Sequence, residues 1–248
     1  MYPKKVSSKK ITFSINVYWC PKSQALARIS REFPFVLSLL DRLPSALRRK
    51  LVCEAVSINE RIVEHPWVFL NIGVRTGRVL DVGCCWSPLP IELASLGFEV
   101  WGIDIARPGL SHPNFRFVQE DICQSTLPDG FFDRVLAIST IEHIGLGHYG
   151  ESVGEGKDQQ AVMEIYRLLK VRGKAMISVP FGKRRVTPIF RVYDSNAFKN
   201  LVSQFKVKKT QWFIQRGETW LASSEQEASL QDLVDRGRPT AVVLIVGG

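Results

Sequence analysis

Apolar and polar positions follow one pattern in the first part of this chain and another in the rest. From Gln24 to about Leu70, apolar residues recur at intervals of three and four, which is the spacing of amphipathic helices. Pro44 separates two such segments, and Pro66 is expected to end the second. The pattern predicts a helical extension over residues 1–75, serving either as a lid over a ligand site or as a scaffold on one face of a sheet.

From Arg78 onward, short apolar runs alternate with helical segments. The runs that predict strands are RVLDVG, EVWGIDI, FRFVQEDI, FDRVLAIST, KAMISVP, FKVKKTQWFI and TAVVLIVG. Helices are predicted for PLPIELASLG, for DQQAVMEIYRLLKVRG up to Gly173, for Asp194 to Phe205, and briefly within an insertion at 214–239. The alternation indicates an α/β domain over residues 76–248, with a seven-stranded, mostly parallel sheet and helices on both faces. No full crossover follows strand six, so the last strand is expected to be antiparallel.

Composition limits the classes of protein to which the chain can belong. Its 248 residues are 45% hydrophobic and 23% charged, as in a globular protein. No apolar run reaches the roughly 18–20 residues that span a bilayer, and the basic N-terminus lacks a signal-peptide core. The five cysteines are few and scattered, without the CxxC spacing of a zinc site. We therefore expect a cytoplasmic protein with reduced thiols and no metal.

The formal net charge of +9 favours anionic partners such as nucleic acid, a membrane surface or a phosphorylated substrate. A solvated basic surface explains the same charge equally well. The sequence predicts no oligomeric state.

The stretch LDVGCCWSPLP follows the first predicted strand, and in parallel sheets ligands bind beyond the carboxyl ends of the strands. Gly83 there would let a ligand approach the backbone, and the next helix would offer free N–H groups to a carboxylate. The adjacent Cys84 and Cys85 raise the question of metal or redox chemistry. We favour their interpretation as small packing residues.

The later strand ends carry further polar residues. Asp104 follows strand two and can accept both hydroxyls of a ribose. After strand three, Asp121 can accept an exocyclic amine while Ile122 packs on a base. The chain after strand four contains Ser139, Thr140, Glu142 and His143. Together these residues predict one nucleotide-like ligand at the edge of the sheet.

The order of these motifs resembles class I, Rossmann-like S-adenosylmethionine-dependent methyltransferases. The resemblance covers roughly Arg78 to Pro180. It is carried by four features in order: VLDVG, an acidic residue that ends strand two, ED after strand three, and FDRVLAISTIEHI. Three stretches are similar to small-molecule methyltransferases, some of which modify sugars or polysaccharides. These stretches are ERIVEHPW, ISTIEHIGLGHYGE and MEIYRLLKVRGKAMISVPFG.

The resemblance implies S-adenosyl-L-methionine as cofactor. The chain departs from the family at the opening turn, where Cys85 and Ser87 replace the usual glycines. The implied cofactor-binding residues are Asp81, Gly83, Cys84, Cys85, Asp104, Ile105, Asp121, Ile122 and Ser139.

Methyl transfer needs alignment of nucleophile, methyl and sulfur, and a hydroxyl nucleophile also benefits from a general base. His143 is the candidate base because the ordinary histidine pKa lies near neutrality. Alternatively it orients the loop or packs against the cofactor. Glu142 could take the charge or orient a neighbour.

Two segments are candidates for binding the acceptor. His148 and Tyr149 lie in a glycine-rich stretch, interpreted as a mobile loop over the acceptor pocket or as a plain surface loop. Lys183, Arg184 and Arg191 follow strand five and suit an anionic acceptor, although they could equally be solvated.

The leading hypothesis is methyl transfer to a hydroxyl of a small molecule, sugar-like or anionic. Strand four is not followed by the Asn/Asp-Pro-Pro-Tyr/Phe stretch of amino-group methylation or by the Pro-Cys of cytosine C5 chemistry. An RNA or protein methyltransferase is the alternative that the basic charge supports. A nicotinamide-dependent dehydrogenase or a non-catalytic nucleotide-binding module is the alternative of another class, and the absence of GxGxxG counts against the dehydrogenase.

Overall fold

The computed structural model describes residues 59–248 except 75, 218 and 234–238, together with two strands nearer the N-terminus. The chain forms two compact units, Met1–Asn59 and Glu60–Gly248. In the first unit, strands β1 (Asn16–Pro21) and β2 (Val52–Ser57) pair antiparallel.

Strand β2 corrects the sequence prediction, which assigned these residues to a helix. The segment VCEAVS has two valines, which favour strands, and β1 supplies the partner that a helical pattern cannot reveal. The first predicted helical segment, at 24–43, lies outside the described residues.

The second unit is an α/β layer structure, as predicted. Its strands are β3 (Arg78–Val82), β4 (Glu99–Asp104), β5 (Phe115–Gln119), β6 (Phe132–Ile138), β7 (Leu169–Pro180), the short pair β8 (Arg185–Val186) and β9 (Arg191–Val192), β10 (Lys209–Arg216), β11 (Thr219–Ser223) and β12 (Ala241–Gly247). The helices are α1 (Arg61–Asn71), α2 (Leu89–Ser95), α3 (Lys157–Leu168), α4 (Ser195–Leu201) and α5 (Glu225–Ser229).

The main sheet has the order β11-β10-β12-β7-β6-β3-β4-β5. Strands β3 to β7 are parallel, and the last strand, β12, runs antiparallel to both of its neighbours. The antiparallel last strand is therefore confirmed. The sheet has eight strands rather than seven because β11, in the segment interpreted as an insertion, folds back on β10.

Two helix ends differ from the sequence prediction. Helix α1 continues through Pro66 to Asn71, because Trp67 and Val68 beyond the proline are buried in the core. Helix α3 ends at Leu168 rather than Gly173, since the next residues enter β7 through an irregularity in its pairing with β6.

Alternate residues of each central strand face opposite sides of the sheet, and both sides are buried. Leu80 packs in one core cluster with Ile165 of α3, whereas its neighbour Val79 packs in the other with Val68 of α1 and Leu93 of α2. Helices on both faces are thus confirmed. The carboxyl ends of the parallel strands remain open for a ligand.

Candidate functional site

A cavity of about 260 Å³ opens at the carboxyl ends of the parallel strands. Strand order reverses around β3, so this is the position at which α/β sheets bind ligands. Of the predicted site residues, the lining includes Gly83, Asp104, Ile105, Asp121, Ile122, Ser139, His143 and Tyr149. Its other members include Arg61, Ser87, Glu120, Thr140, Ile144 and Glu151.

The turn after β3 requires its glycine. Gly83 has φ of +77°, and its N–H donates to the Ile103 carbonyl at 2.9 Å. A Cβ at this position would lie 2.4 Å from the Thr140 side chain, whose hydroxyl donates to the Val82 carbonyl. The chain after β6 therefore packs directly on this turn and gives the cavity floor its shape.

Asp104 joins that turn to the end of β4. Its carboxylate accepts from the Cys85 N–H at 2.8 Å and from the Ala106 N–H at 2.9 Å, one bond on each oxygen. Burial raises the pKa of Asp104, while these backbone donors oppose the rise. Each oxygen retains a lone pair, so the carboxylate can accept two further hydrogen bonds from adjacent hydroxyls.

Asp121 begins the short turn after β5. One carboxylate oxygen accepts from the Cys123 N–H at 2.9 Å, and the other accepts from the Ser152 hydroxyl at 3.0 Å. Ile122 beside it is buried and supplies an apolar wall. Ser152 belongs to the glycine-rich segment 145–156, so this hydrogen bond holds that segment over the cavity.

Asp81 lies behind the cavity rather than on its surface. The side chain is buried, and its Oδ2 has no hydrogen-bond partner among the described residues. Burial raises the Asp81 pKa to about 8, and the charge of Arg61 opposes this shift. A buried carboxylate oxygen without a partner is unusual.

Helix α1 contributes two residues that sequence reasoning did not assign to the site. Buried Glu64 accepts from the hydroxyls of Ser139 and Ser178, both at 2.7 Å, and from the guanidinium of Arg61 at 2.8 Å. Ser139 has φ of +45°, a conformation that costs free energy in a residue other than glycine and that this network holds in place. Arg61 thereby brings a positive charge to the cavity.

His143 also lines the cavity, with Nδ1 2.6 Å from the Ile189 carbonyl oxygen. A carbonyl can only accept, so Nδ1 carries the hydrogen and Nε2 keeps its lone pair when the ring is neutral. Burial lowers the His143 pKa, which favours the neutral ring. This is the protonation state that a general base requires.

Glu142 lies beside His143 without lining the cavity. Its Oε1 is 3.7 Å from His143 Nε2, and Oε2 has no hydrogen-bond partner within the described part of the chain. Burial raises the Glu142 pKa well above its ordinary value, which favours the neutral carboxyl group. At 3.7 Å the two atoms are too far apart for a direct hydrogen bond, so Glu142 leaves the lone pair of His143 Nε2 available to another partner.

Aromatic side chains surround His143 on the outer side. Tyr149 meets it edge-to-face, with ring centroids 5.3 Å apart, and Phe190 does so at 6.5 Å. His148 packs against Tyr149 at 4.7 Å but does not line the cavity. The carboxylate of Glu151 accepts from the N–H groups of Gly147 and Tyr149, which folds the segment that carries this rim.

The two adjacent cysteines do not line the cavity. Cys84 is buried, its Sγ packs close to Gly102, and Cys85 Sγ lies 3.5 Å from the Arg107 carbonyl. Burial raises both thiol pKa values, that of Cys85 to about 11, which disfavours nucleophilic thiolates. Among the described residues, no cluster of three or more side chains could hold a metal ion.

The predicted basic acceptor residues also lie outside the cavity lining. Arg191 donates to the Ile144 carbonyl at 2.7 Å and approaches Asp158 at 3.7 Å, so it supports the loop after β6. Lys183 pairs with Asp232 at 3.6 Å. Arg184 is exposed on the turn before β8.

Comparison with known proteins identifies a matching family and several relatives. Residues 80–177 match the methyltransferase domain family. The Bacillus subtilis (strain 168) protein YqeM, named as a methyltransferase, is 30% identical over 142 residues, 50% of this chain and 53% of that protein. The ubiquinone biosynthesis O-methyltransferase of Rickettsia akari (strain Hartford) is 28% identical over 127 residues, 48% and 46% of the two chains. The match thus spans about half the length of these curated relatives.

Solved structures share the fold at low sequence identity. One of them is the 1,6-didemethyltoxoflavin-N1-methyltransferase of Burkholderia thailandensis, solved with 1,6-didemethyltoxoflavin and S-adenosylhomocysteine bound. It superposes with a TM-score of 0.56 and is 16% identical, and the match covers 94% of this chain and 93% of that one. A SAM-dependent methyltransferase of Methanosarcina mazei superposes with a TM-score of 0.52 and is 16% identical. That match covers 73% of this chain and 95% of the Methanosarcina chain.

Proposed function

We propose, from the premise that residues 80–177 form a class I methyltransferase domain, that the protein transfers a methyl group from S-adenosylmethionine to a hydroxyl of a small, ring-bearing acceptor. One observation carries the proposal: Asp104, Asp121 and His143 line a single cavity at the carboxyl ends of β4, β5 and β6. The first two suit a nucleoside, and the third suits removal of a proton from a hydroxyl.

The side chains around the cavity fit the chemical groups of the cofactor. Asp104 would accept the two ribose hydroxyls, and Asp121 would accept the adenine amine with Ile122 against the ring. Release of the Ser152 hydroxyl would free Asp121 for that contact. Arg61 lines the cavity and matches the methionine carboxylate in charge.

When bound, the cofactor supplies a methyl group activated by a positively charged sulfur. The chain's own residues position the acceptor and remove its proton. His143 Nε2 accepts the hydroxyl proton while the Ile189 carbonyl holds the opposite side of the ring. Tyr149 and Phe190 give the acceptor face an aromatic rim, which suits a ring stacked against it.

Because Arg61 is assigned to the methionine carboxylate and Lys183, Arg184 and Arg191 lie outside the lining, the cavity suits a neutral acceptor better than an anionic one. An RNA or protein acceptor is the second candidate, motivated by the net charge of +9. Salt-sensitive RNA binding together with methylation of RNA would favour it over a small acceptor. We place the reaction in the cytoplasm, where the free thiols of Cys84, Cys85 and Cys123 would stay reduced.

Calorimetric titration of S-adenosylmethionine into the full chain tests the cofactor assignment. The Asp104→Ala variant should bind at least tenfold more weakly, since it loses charge-assisted hydrogen bonds worth about 1.5–3 kcal/mol each. Asp129→Asn, at an exposed carboxyl, is the matched control and should bind as the parent does. Unchanged binding in Asp104→Ala would exclude the proposed ribose contact. Incubation with ring-bearing alcohols and phenols, followed by mass spectrometry, then identifies the acceptor.

A further inference from the structure

A second surface lies at the end of the sheet away from the cavity, where β7 and β10 begin. Its aliphatic side chains are exposed: Leu70 by 83%, Val74 by 70%, Val171 by 93% and Val207 by 40%. We call these residues, with Lys170, Arg172, Lys174, Lys206, Lys208 and Lys209, the basal surface.

Several contacts show that the segments of this surface adjoin one another. Lys209 Nζ donates to the Asn71 side chain at 2.7 Å, which links the start of β10 to the end of α1. Lys174 Nζ reaches Gly73 in the loop after α1. Gly248 lies between Gly173 and Lys208 Nζ. The basal surface is therefore continuous across three segments of the second unit.

Its positive charge is largely uncompensated. Lys170 pairs with Asp133 at 2.9 Å. Within the part of the chain that the structure describes, no carboxylate lies within ion-pair distance of Arg172, Lys174, Lys206 or Lys208. The sequences KVRGK and KVKK place an exposed valine among these cations.

We propose that the basal surface binds peripherally to an anionic lipid membrane. Cations held beside exposed aliphatic side chains match the boundary between anionic headgroups and acyl chains. RNA-binding surfaces instead stack bases on aromatic rings, and none of the ten residues that define the basal surface is aromatic. No helix among the described residues is long and apolar enough to cross a bilayer, so the contact would be interfacial.

This binding mode has a consequence for the orientation of the cavity. The cavity opens at the carboxyl ends of the strands, whereas the basal surface lies at their amino ends. A molecule docked through the basal surface would hold its cavity toward the water. It would thus act near the membrane on acceptors that arrive from the aqueous side.

Co-sedimentation of the full chain with vesicles tests the proposal. We expect binding to phosphatidylcholine vesicles that contain phosphatidylglycerol, weakening with salt, and little binding to phosphatidylcholine alone. Lys206→Glu/Lys208→Glu should weaken binding at least about tenfold through lost attraction to the headgroups. Val171→Gln/Val207→Gln should also weaken it, with no change in charge.

The matched controls are Lys199→Glu and Met163→Gln, which change an exposed cation and an exposed apolar side chain outside the basal surface. Both should bind vesicles as the parent does, and thermal melts should show that all variants fold. Equal binding by the parent and the two double variants would overturn the proposal. A different result would also overturn it: the parent binds an RNA oligonucleotide but not vesicles, and only the lysine double variant weakens the RNA binding.

Discussion

The carboxylate of Glu64 accepts a hydrogen bond from the Ser139 hydroxyl at 2.7 Å, joining residues 75 positions apart. The bond fixes helix α1 to the end of β6, where the chain passes the cavity. Because Glu64 also holds Arg61, the shape and the charge of the cavity depend on a helix that precedes the matched methyltransferase domain.

Replacing Glu64 with alanine should destabilise the fold by about 3 kcal/mol, because it removes the acceptor of two buried serine hydroxyls and the carboxylate that pairs with Arg61. Urea unfolding measures the loss. Glu92→Ala, at a half-exposed carboxyl near His65, should cost less than about 1 kcal/mol. Similar costs for the two variants would show that the buried network contributes little.

Alanine at Gly83 should impair both folding and cofactor binding, since its Cβ would lie 2.4 Å from Thr140 at a positive φ. Gly97→Ala is the matched control, because Gly97 also has positive φ but has open space around it. Gly97→Ala should lower the free energy of unfolding by about 1 kcal/mol, and Gly83→Ala should lower it by clearly more. A second change, Thr140→Gly, should recover part of the additional loss. Thermal melts and calorimetry compare all three variants.

His143 is expected to act as a base rather than only as a support for the loop. The His143→Asn variant should lower kcat by about 10²–10⁴-fold, because asparagine can still donate to the Ile189 carbonyl but lacks a basic nitrogen. His112→Asn, outside the cavity lining, should leave kcat unchanged. Because burial lowers the His143 pKa, kcat should fall as the pH is lowered, with a midpoint below the ordinary histidine pKa of 6.5. An active His143→Asn enzyme would assign the ring a structural role.

The parts of the site that sequence reasoning located are those that follow an apolar strand directly. Gly83, Asp104 and Asp121 each come at or just after a strand end, and parallel strands bring such positions to one edge. Short apolar runs, which are typical of strands buried on both faces, identified the strands themselves. Local pattern and general topology were sufficient here.

The remaining features depend on contacts between distant residues. Glu64 acts through serines 75 and 114 positions away, which the spacing on its own helix does not encode. The strand β2 needs β1 as a partner, so its helical spacing misled the prediction. Arg191 follows strand five as an acceptor ligand would, yet its guanidinium bonds to loop carbonyls.

Asp81 should make stability depend on pH in a way that a single substitution reveals. Its pKa is raised in the folded chain to about 8 from an ordinary value of 3.8, so folding favours the protonated form. Protonation of Asp81 therefore contributes to the free energy of unfolding. This contribution is complete below about pH 4 and is lost as the pH rises toward 8, by up to about 1.4 kcal/mol per pH unit. Asp81→Asn cannot ionise, so its melting temperature should fall less than that of the parent between pH 5 and 8 in the absence of cofactor. Parallel pH dependences would show that Asp81 stays ionised in the folded chain.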